Sequence, residues 1–137
     1  HGQLHPRLRD DARVVCVERI NARELDANDA RVPDVAQGFD LVVGDLSFIS
    51  LTLVLPALLP LLKKGGALLM LVKPQFELQP SDIGKGGLVK DVASYVQVEA
   101  RLREACAGLN LNVLGYWPSA IAGGDGNQEF WIGARRA

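Results

Sequence analysis

The chain has 137 residues, of which 48% are hydrophobic and 23% charged; that is enough for one domain with a core and too few for two. This balance excludes a disordered tail or a disulfide-stapled miniprotein. Fifteen Lys and Arg stand against sixteen Asp and Glu, a net charge of -1, so no bulk attraction draws the chain to nucleic acid or an anionic membrane, and any such partner must be met by a local patch.

The opening His-Gly-Gln-Leu-His has neither the basic start nor the apolar core of a signal peptide, and the chain reads as cut or processed. Cys16 and Cys106 lie far apart in apolar surroundings, with no CxxC or Cys/His spacing. They are expected as reduced, buried thiols of a cytoplasmic protein. His1 and His5 have no third ligand nearby, so no metal site is expected.

Residues 13–18 (Arg-Val-Val-Cys-Val-Glu) form a β-branched run, a strand, followed by a polar stretch through Asn21, Arg23, Glu24 and Asp29 that reads as loop. Residues 39–44 (Phe-Asp-Leu-Val-Val-Gly) are expected as a strand buried on both faces, ending at Asp45. Between Asp45 and Lys63 lie seventeen uncharged residues, near the lower limit of a membrane span of about 20. Ser47, Ser50 and Thr52 at its start and Pro56 and Pro60 within it favour a strand end, a loop and a buried helix over residues 52–64, closed by Lys63, Lys64 and Gly65-Gly66. Another buried strand follows at 67–72, and this strand, helix, strand order is the signature of a parallel βαβ unit.

Pro74 stops that strand just after Lys73, and residues 75–90 are irregular and Gly-rich. Asp91 can cap a helix that places Val92, Tyr95, Val96, Leu102, Cys106 and Leu109 on one face. Strands at 111–117 and 129–134, joined through the turn at 123–127, make a hairpin. No internal repeat or interdomain linker interrupts the pattern.

In an open α/β sheet ligands lie beyond the carboxyl ends of the parallel strands. Asp45 and Lys73 end two such strands, about 5 Å apart if the strands are neighbours. If the final strand is the antiparallel one, Glu129 at its beginning joins them. A lysine flanked by carboxylates can serve as a general base toward a hydroxyl. The same three residues can equally form a structural ion pair at the sheet edge, and spacing alone leaves both readings open.

The words around these residues are more specific. Residues 39–51 (Phe-Asp-Leu-Val-Val-Gly-Asp-Leu-Ser-Phe-Ile-Ser-Leu), 71–77 (Leu-Val-Lys-Pro-Gln-Phe-Glu), 84–91 (Gly-Lys-Gly-Gly-Leu-Val-Lys-Asp) and 126–130 (Gly-Asn-Gln-Glu-Phe), with Asn21-Ala22-Arg23 and the opening 3–14, resemble the hemolysin A family of FtsJ-like, S-adenosylmethionine-dependent 2'-O-methyltransferases nearly end to end. The resemblance implies a Rossmann-like α/β methyltransferase fold, with a mostly parallel sheet and an antiparallel last strand. It implies methylation of a ribose 2'-hydroxyl, typically of cytidine, in ribosomal RNA. The family's catalytic Lys-Asp-Lys-Glu tetrad maps onto Asp45, Lys73 as base, and Glu129; the methyl donor would lie against Asn21, Ala22, Asp45 and Leu46. The tetrad's first Lys, the donor-binding Gly-rich loop, the amino-terminal strands and an S4-like RNA-binding domain have no counterpart in the sequence. Residues 1–137 are therefore expected to be the carboxy-terminal portion of a single FtsJ-like domain that on its own binds the donor weakly or not at all and is inactive.

The loop Gly84-Lys85-Gly86-Gly87 lacks phosphate-loop spacing and reads either as a solvated loop or as one that sets Lys85 on an RNA phosphate. Arg7, Arg9, Arg13, Arg19, Arg23, Arg135 and Arg136 are balanced by nearby acids and read as scattered surface charge. Trp117 and Trp131 read as sheet packing. Two rival functions remain: a membrane-active haemolysin, resting on residues 46–62, and a non-catalytic RNA-binding remnant.

Overall fold

The computed structural model describes residues 38–124 and 126–137. The strand expected at 13–18, together with His1, His5, Cys16, Asn21, Ala22 and the arginines from Arg7 to Arg23, lies outside them.

Strand β1, Phe39–Gly44, runs into a short loop and then helix α1, Leu51–Leu58. Ser50 caps α1 from extended backbone, its Oγ accepting from Thr52 N at 3.1 Å. The helix is shorter than the expected 52–64. A 3-10 turn at Leu59–Leu61 ends it, and β2 already begins at Leu62, spanning Leu62–Val72. The break has a local cause, since Pro60 cannot donate to a helical ladder and its ring crowds the carbonyl one turn back. Lys63, Lys64, Gly65 and Gly66 thus belong to β2 and not to a helix end. Pairing with β1 jumps from Phe39↔Leu62 to Leu41↔Ala67, two steps against five, so residues 63–66 bulge out of the ladder. Gly65 takes a φ of +80° there, and a Cβ on Gly66 would lie 2.8 Å from the Phe39 carbonyl oxygen.

After three 3-10 turns, helix α2 occupies Ser94–Gly108 and leads into β3, Leu111–Pro118, and β4, Phe130–Arg136. The sheet order is β1-β2-β4-β3. β1 and β2 are parallel, and β4 runs antiparallel to both of its neighbours. Three strands therefore share one direction and the last opposes them, as expected for this Rossmann-like class.

One face of the sheet carries the core. Leu68, Met70, Val72, Ile132 and Ala134 meet Val54, Leu55 and Leu58 of α1 and Val98, Leu102 and Cys106 of α2, all buried, at about 1.5–3 kcal/mol for each large side chain fully removed from water. Arg136 adds a polar tie, donating to the carbonyls of Leu59 and Leu62 at the close of the 3-10 turn.

Two expectations about burial need correction. Leu41 and Val43 of β1 are exposed, so this strand is not buried on both faces; among the described residues nothing packs on that side and β2 is its one strand neighbour. In α2 the buried row is Ser94, Val98, Leu102 and Cys106, whereas Val92 and Val96 are exposed. A strict i,i+4 row turns positions two residues away to the opposite side. Asp91 does act at this end, but its Oδ1 accepts from Ala93 N in the turn before the helix.

Trp117 pairs with Trp131 across the hairpin and lies over Gly115, where a Cβ would come within 2.6 Å of its ring. This is sheet packing, as the sequence suggested. Among the described residues no helix is long and apolar enough to cross a membrane; the uncharged stretch 46–62 divides into a loop, an eight-residue helix and a 3-10 turn.

Candidate active site

The parallel β1–β2 ladder ends at Gly44↔Met70, and the candidate site lies just beyond it. Asp45 follows β1. Lys73 follows β2 and is held extended (φ -113°, ψ 99°) by Pro74, which disfavours helical backbone in the residue before it. Pro74 then opens a 3-10 turn that carries the chain away from the sheet.

Across the gap Lys73 Nζ meets Asp45 Oδ1 at 2.5 Å and donates to Ser47 Oγ at 2.9 Å. The lysine side chain is 13% exposed and the aspartate 63%. The cation is thus sheltered while its carboxylate partner faces the opening. On the other side, β4 pairs Phe130 with Val72. Glu129, which is buried, comes one residue before that pair, at the same edge of the sheet as Lys73. The structure therefore joins Asp45 to Lys73 and sets Glu129 at the same sheet edge.

Two further residues belong to this cluster and were not expected. Ser47 is one, through its bond to Lys73. Glu77 is the other, only 5% exposed. Ser50 Oγ donates to Glu77 Oε2 at 2.5 Å and Leu51 N donates to Oε1 at 2.7 Å. The guanidinium of Arg101, on α2, donates to the Glu77 carbonyl. Burial pushes the Glu77 carboxyl above its ordinary value, against the lowering effect of Ser50, Leu51 and Arg101. The available signals were weak: Ser47 and Ser50 stand out as polar in an uncharged run, and Glu77 is the one acid between Lys73 and Asp82.

The rim is partly aromatic. Phe48 is 89% exposed with a φ of +63°, and its ring centroid lies 5.1 Å from that of Phe76. Leu46 is half-buried and lines an apolar cavity of about 360 Å³ with Phe39, Leu41, Val43 and Met70 at the edge of β1. Lys85 sits exposed in the turn Lys85–Gly87. Buried Asn127 ties this loop to the hairpin, its Oδ1 accepting from Val89 N at 2.9 Å and its Nδ2 donating to the Gly87 carbonyl at 2.8 Å. Among the described residues no group of three or more His, Cys, Asp and Glu could hold a metal ion.

A sheltered lysine paired with an aspartate at the carboxyl edge of a Rossmann-like sheet narrows the kinship, and comparison decides it. The model of the FtsJ-like methyltransferases matches residues 1–136. The chain belongs to the FtsJ-like methyltransferase family. Within that family it is similar to the 16S/23S rRNA (cytidine-2'-O)-methyltransferase TlyA of Mycobacterium tuberculosis, 41% identical over 98% of this chain and 48% of the relative. It is also similar to Hemolysin A of Brachyspira hyodysenteriae, 38% identical over 66% of this chain and 36% of the relative. A solved structure from Streptococcus thermophilus that carries the hemolysin name superposes with a TM-score of 0.89 at 35% identity, covering 100% of this chain and 48% of that one. The FtsJ-like chain thus spans about half the length of the curated rRNA methyltransferases it matches. Both names that the sequence suggested, FtsJ-like and hemolysin A, recur among these relatives.

Proposed function

We propose that residues 1–137 are the carboxy-terminal portion of a single FtsJ-like domain that methylates a ribose 2'-hydroxyl of ribosomal RNA, on cytidine, in the cytoplasm, with S-adenosylmethionine as donor and Lys73 as general base. The observation that carries this reading is the grip on Lys73 Nζ by Asp45 Oδ1 at 2.5 Å and Ser47 Oγ at 2.9 Å, at the edge where ligands of open α/β sheets bind. The cytidine and the ribosomal RNA come from the M. tuberculosis relative.

The described residues fit the donor on its charged side. A sulfonium is a cation, and the exposed Asp45 carboxylate offers it a counter-charge beside the half-buried Leu46. Asp45 and Leu46, with Asn21 and Ala22, would hold it; when bound, S-adenosylmethionine supplies an already activated methyl group. What the chain adds is positioning and a proton acceptor. To act as a base the Lys73 ammonium must first give one proton to solvent, which leaves an amine with two hydrogens and one lone pair. With the hydrogens committed to Asp45 and Ser47, the lone pair on Nζ is left to take the 2'-hydroxyl proton, and the ammonium so formed stands beside the Asp45 carboxylate. Lys85, in the loop tied to the hairpin by Asn127, would contact an RNA phosphate.

The test replaces Lys73 by Ala and by Met in the intact protein and follows transfer of labelled methyl from S-adenosylmethionine to ribosomal subunits. Loss of about 10²-fold or more in rate is expected for a general base; full activity in either folded variant removes the assignment. No observation among the described residues favours the membrane-active reading, since the apolar stretch behind it packs Val54 and Leu55 into the core.

A further inference from the structure

We propose that Glu77 is a positioning residue for the Lys73 base: it clamps the loop after β1 onto the turn after β2, so that Asp45 and Ser47 stay in register with the lysine. The inference rests on the reading of Lys73 as base.

The grip on Lys73 joins two separate segments. Asp45 and Ser47 belong to the loop 45–50, and Lys73 opens the turn 73–77, while the β1–β2 ladder has already ended at Gly44↔Met70. The Lys73 contacts themselves are a poor fastening, because the charge on Nζ must change during the reaction. Glu77 supplies a fastening that does not. It lies four residues after Lys73, and its carboxylate receives Ser50 Oγ and Leu51 N, three and four residues after Ser47.

The turn that carries Glu77 is itself stiff. Phe76 N and Glu77 N donate at 2.9 Å to the carbonyls of Lys73 and Pro74, and Arg101 holds the Glu77 carbonyl from α2. The loop on the other side is strained, with Phe48 at a φ of +63°. A side chain of that size persists there only where its surroundings over-determine it. Helix capping alone accounts poorly for Glu77. Ser50 already caps α1 through Thr52 N, and a buried carboxylate is a costly way to satisfy one further amide.

In the intact protein, Glu77→Ala is expected to lower kcat about 10-fold or more, with KM for S-adenosylmethionine changed less than about threefold. Glu77→Gln should recover most of kcat, since its amide can still accept from Leu51 N and donate to Ser50 Oγ. A Glu77→Ala protein that melts at lower temperature but keeps kcat within about twofold overturns the proposal and leaves a purely structural carboxylate. Should Glu77→Ala not fold, Ser50→Ala removes one of the two bonds together with the Thr52 N cap; unchanged kcat there overturns the proposal equally. Lys73→Ala measured alongside keeps the two ideas apart, because an active Lys73→Ala protein sinks the base assignment whatever Glu77 does.

Discussion

Glu77 should leave a mark on the pH dependence of stability. Its carboxyl is held above the ordinary value of 4.5 chiefly by burial, so in the window between 4.5 and the raised value the folded state binds the proton that the unfolded chain has released. Stability in that window falls as pH rises, because the unfolded state is the one that binds fewer protons. Glu77→Gln has no such group to titrate. In urea unfolding at pH values from 4.5 to 8, the wild-type chain is expected to lose stability relative to Glu77→Gln as pH increases. A gap between the two that does not change with pH would show that Glu77 titrates alike in the folded and unfolded chains. The raised Tyr116 phenol has the same origin, burial foremost, and its hydroxyl has no hydrogen-bond partner among the described residues.

At the scale of elements, the loop that carries Lys85 depends on one side chain. Asn127 bonds both Val89 N and the Gly87 carbonyl, and Asn127→Ala would strand both groups, at a cost of roughly 2 kcal/mol. Chemical denaturation measures that loss, and amide exchange at Val89 should quicken with it. The elements themselves were legible to differing degrees. β1 and the hairpin followed from apolar runs and turn residues, and Lys73-Pro74 marked the end of β2 because proline cannot continue a central ladder. The start of β2 was not legible. Lys63, Lys64 and the glycine pair look like a helix terminus, and only the pairing of Phe39 with Leu62 shows them to be a bulge in a strand. Within the site, strand ends selected Asp45, Lys73 and Glu129, since each position follows from topology. Ser47 and Glu77 act through contacts 26 and 27 residues apart in the chain, which no local pattern encodes.

At the scale of the whole molecule, the exposed side of β1 is the weak point. Leu41 and Val43 face outward from a strand that, among the described residues, pairs with β2 alone. Such an edge is a template for association. The 137-residue chain studied on its own is expected to self-associate with rising concentration, and Val43→Lys should suppress this without unfolding the sheet. Light scattering across a concentration series distinguishes the outcomes: a monodisperse wild-type chain at all concentrations refutes the expectation. Near-neutral charge gains meaning here too, because a net charge of -1 provides little repulsion to keep such edges apart.

The antiparallel placement of β4 ties the candidate site to the register of a single strand. Phe130 is paired with Val72, which sets Glu129 at the edge that carries Lys73, and side chains alternate faces along a strand, so a slip of one residue would turn the whole of β4 over and Glu129 with it. A misregistered sheet could remain compact and keep its helices yet hold no assembled site. On the proposed reading, catalytic competence is a readout of the register of β4: the site gains its second carboxylate only when that strand has docked in the correct frame.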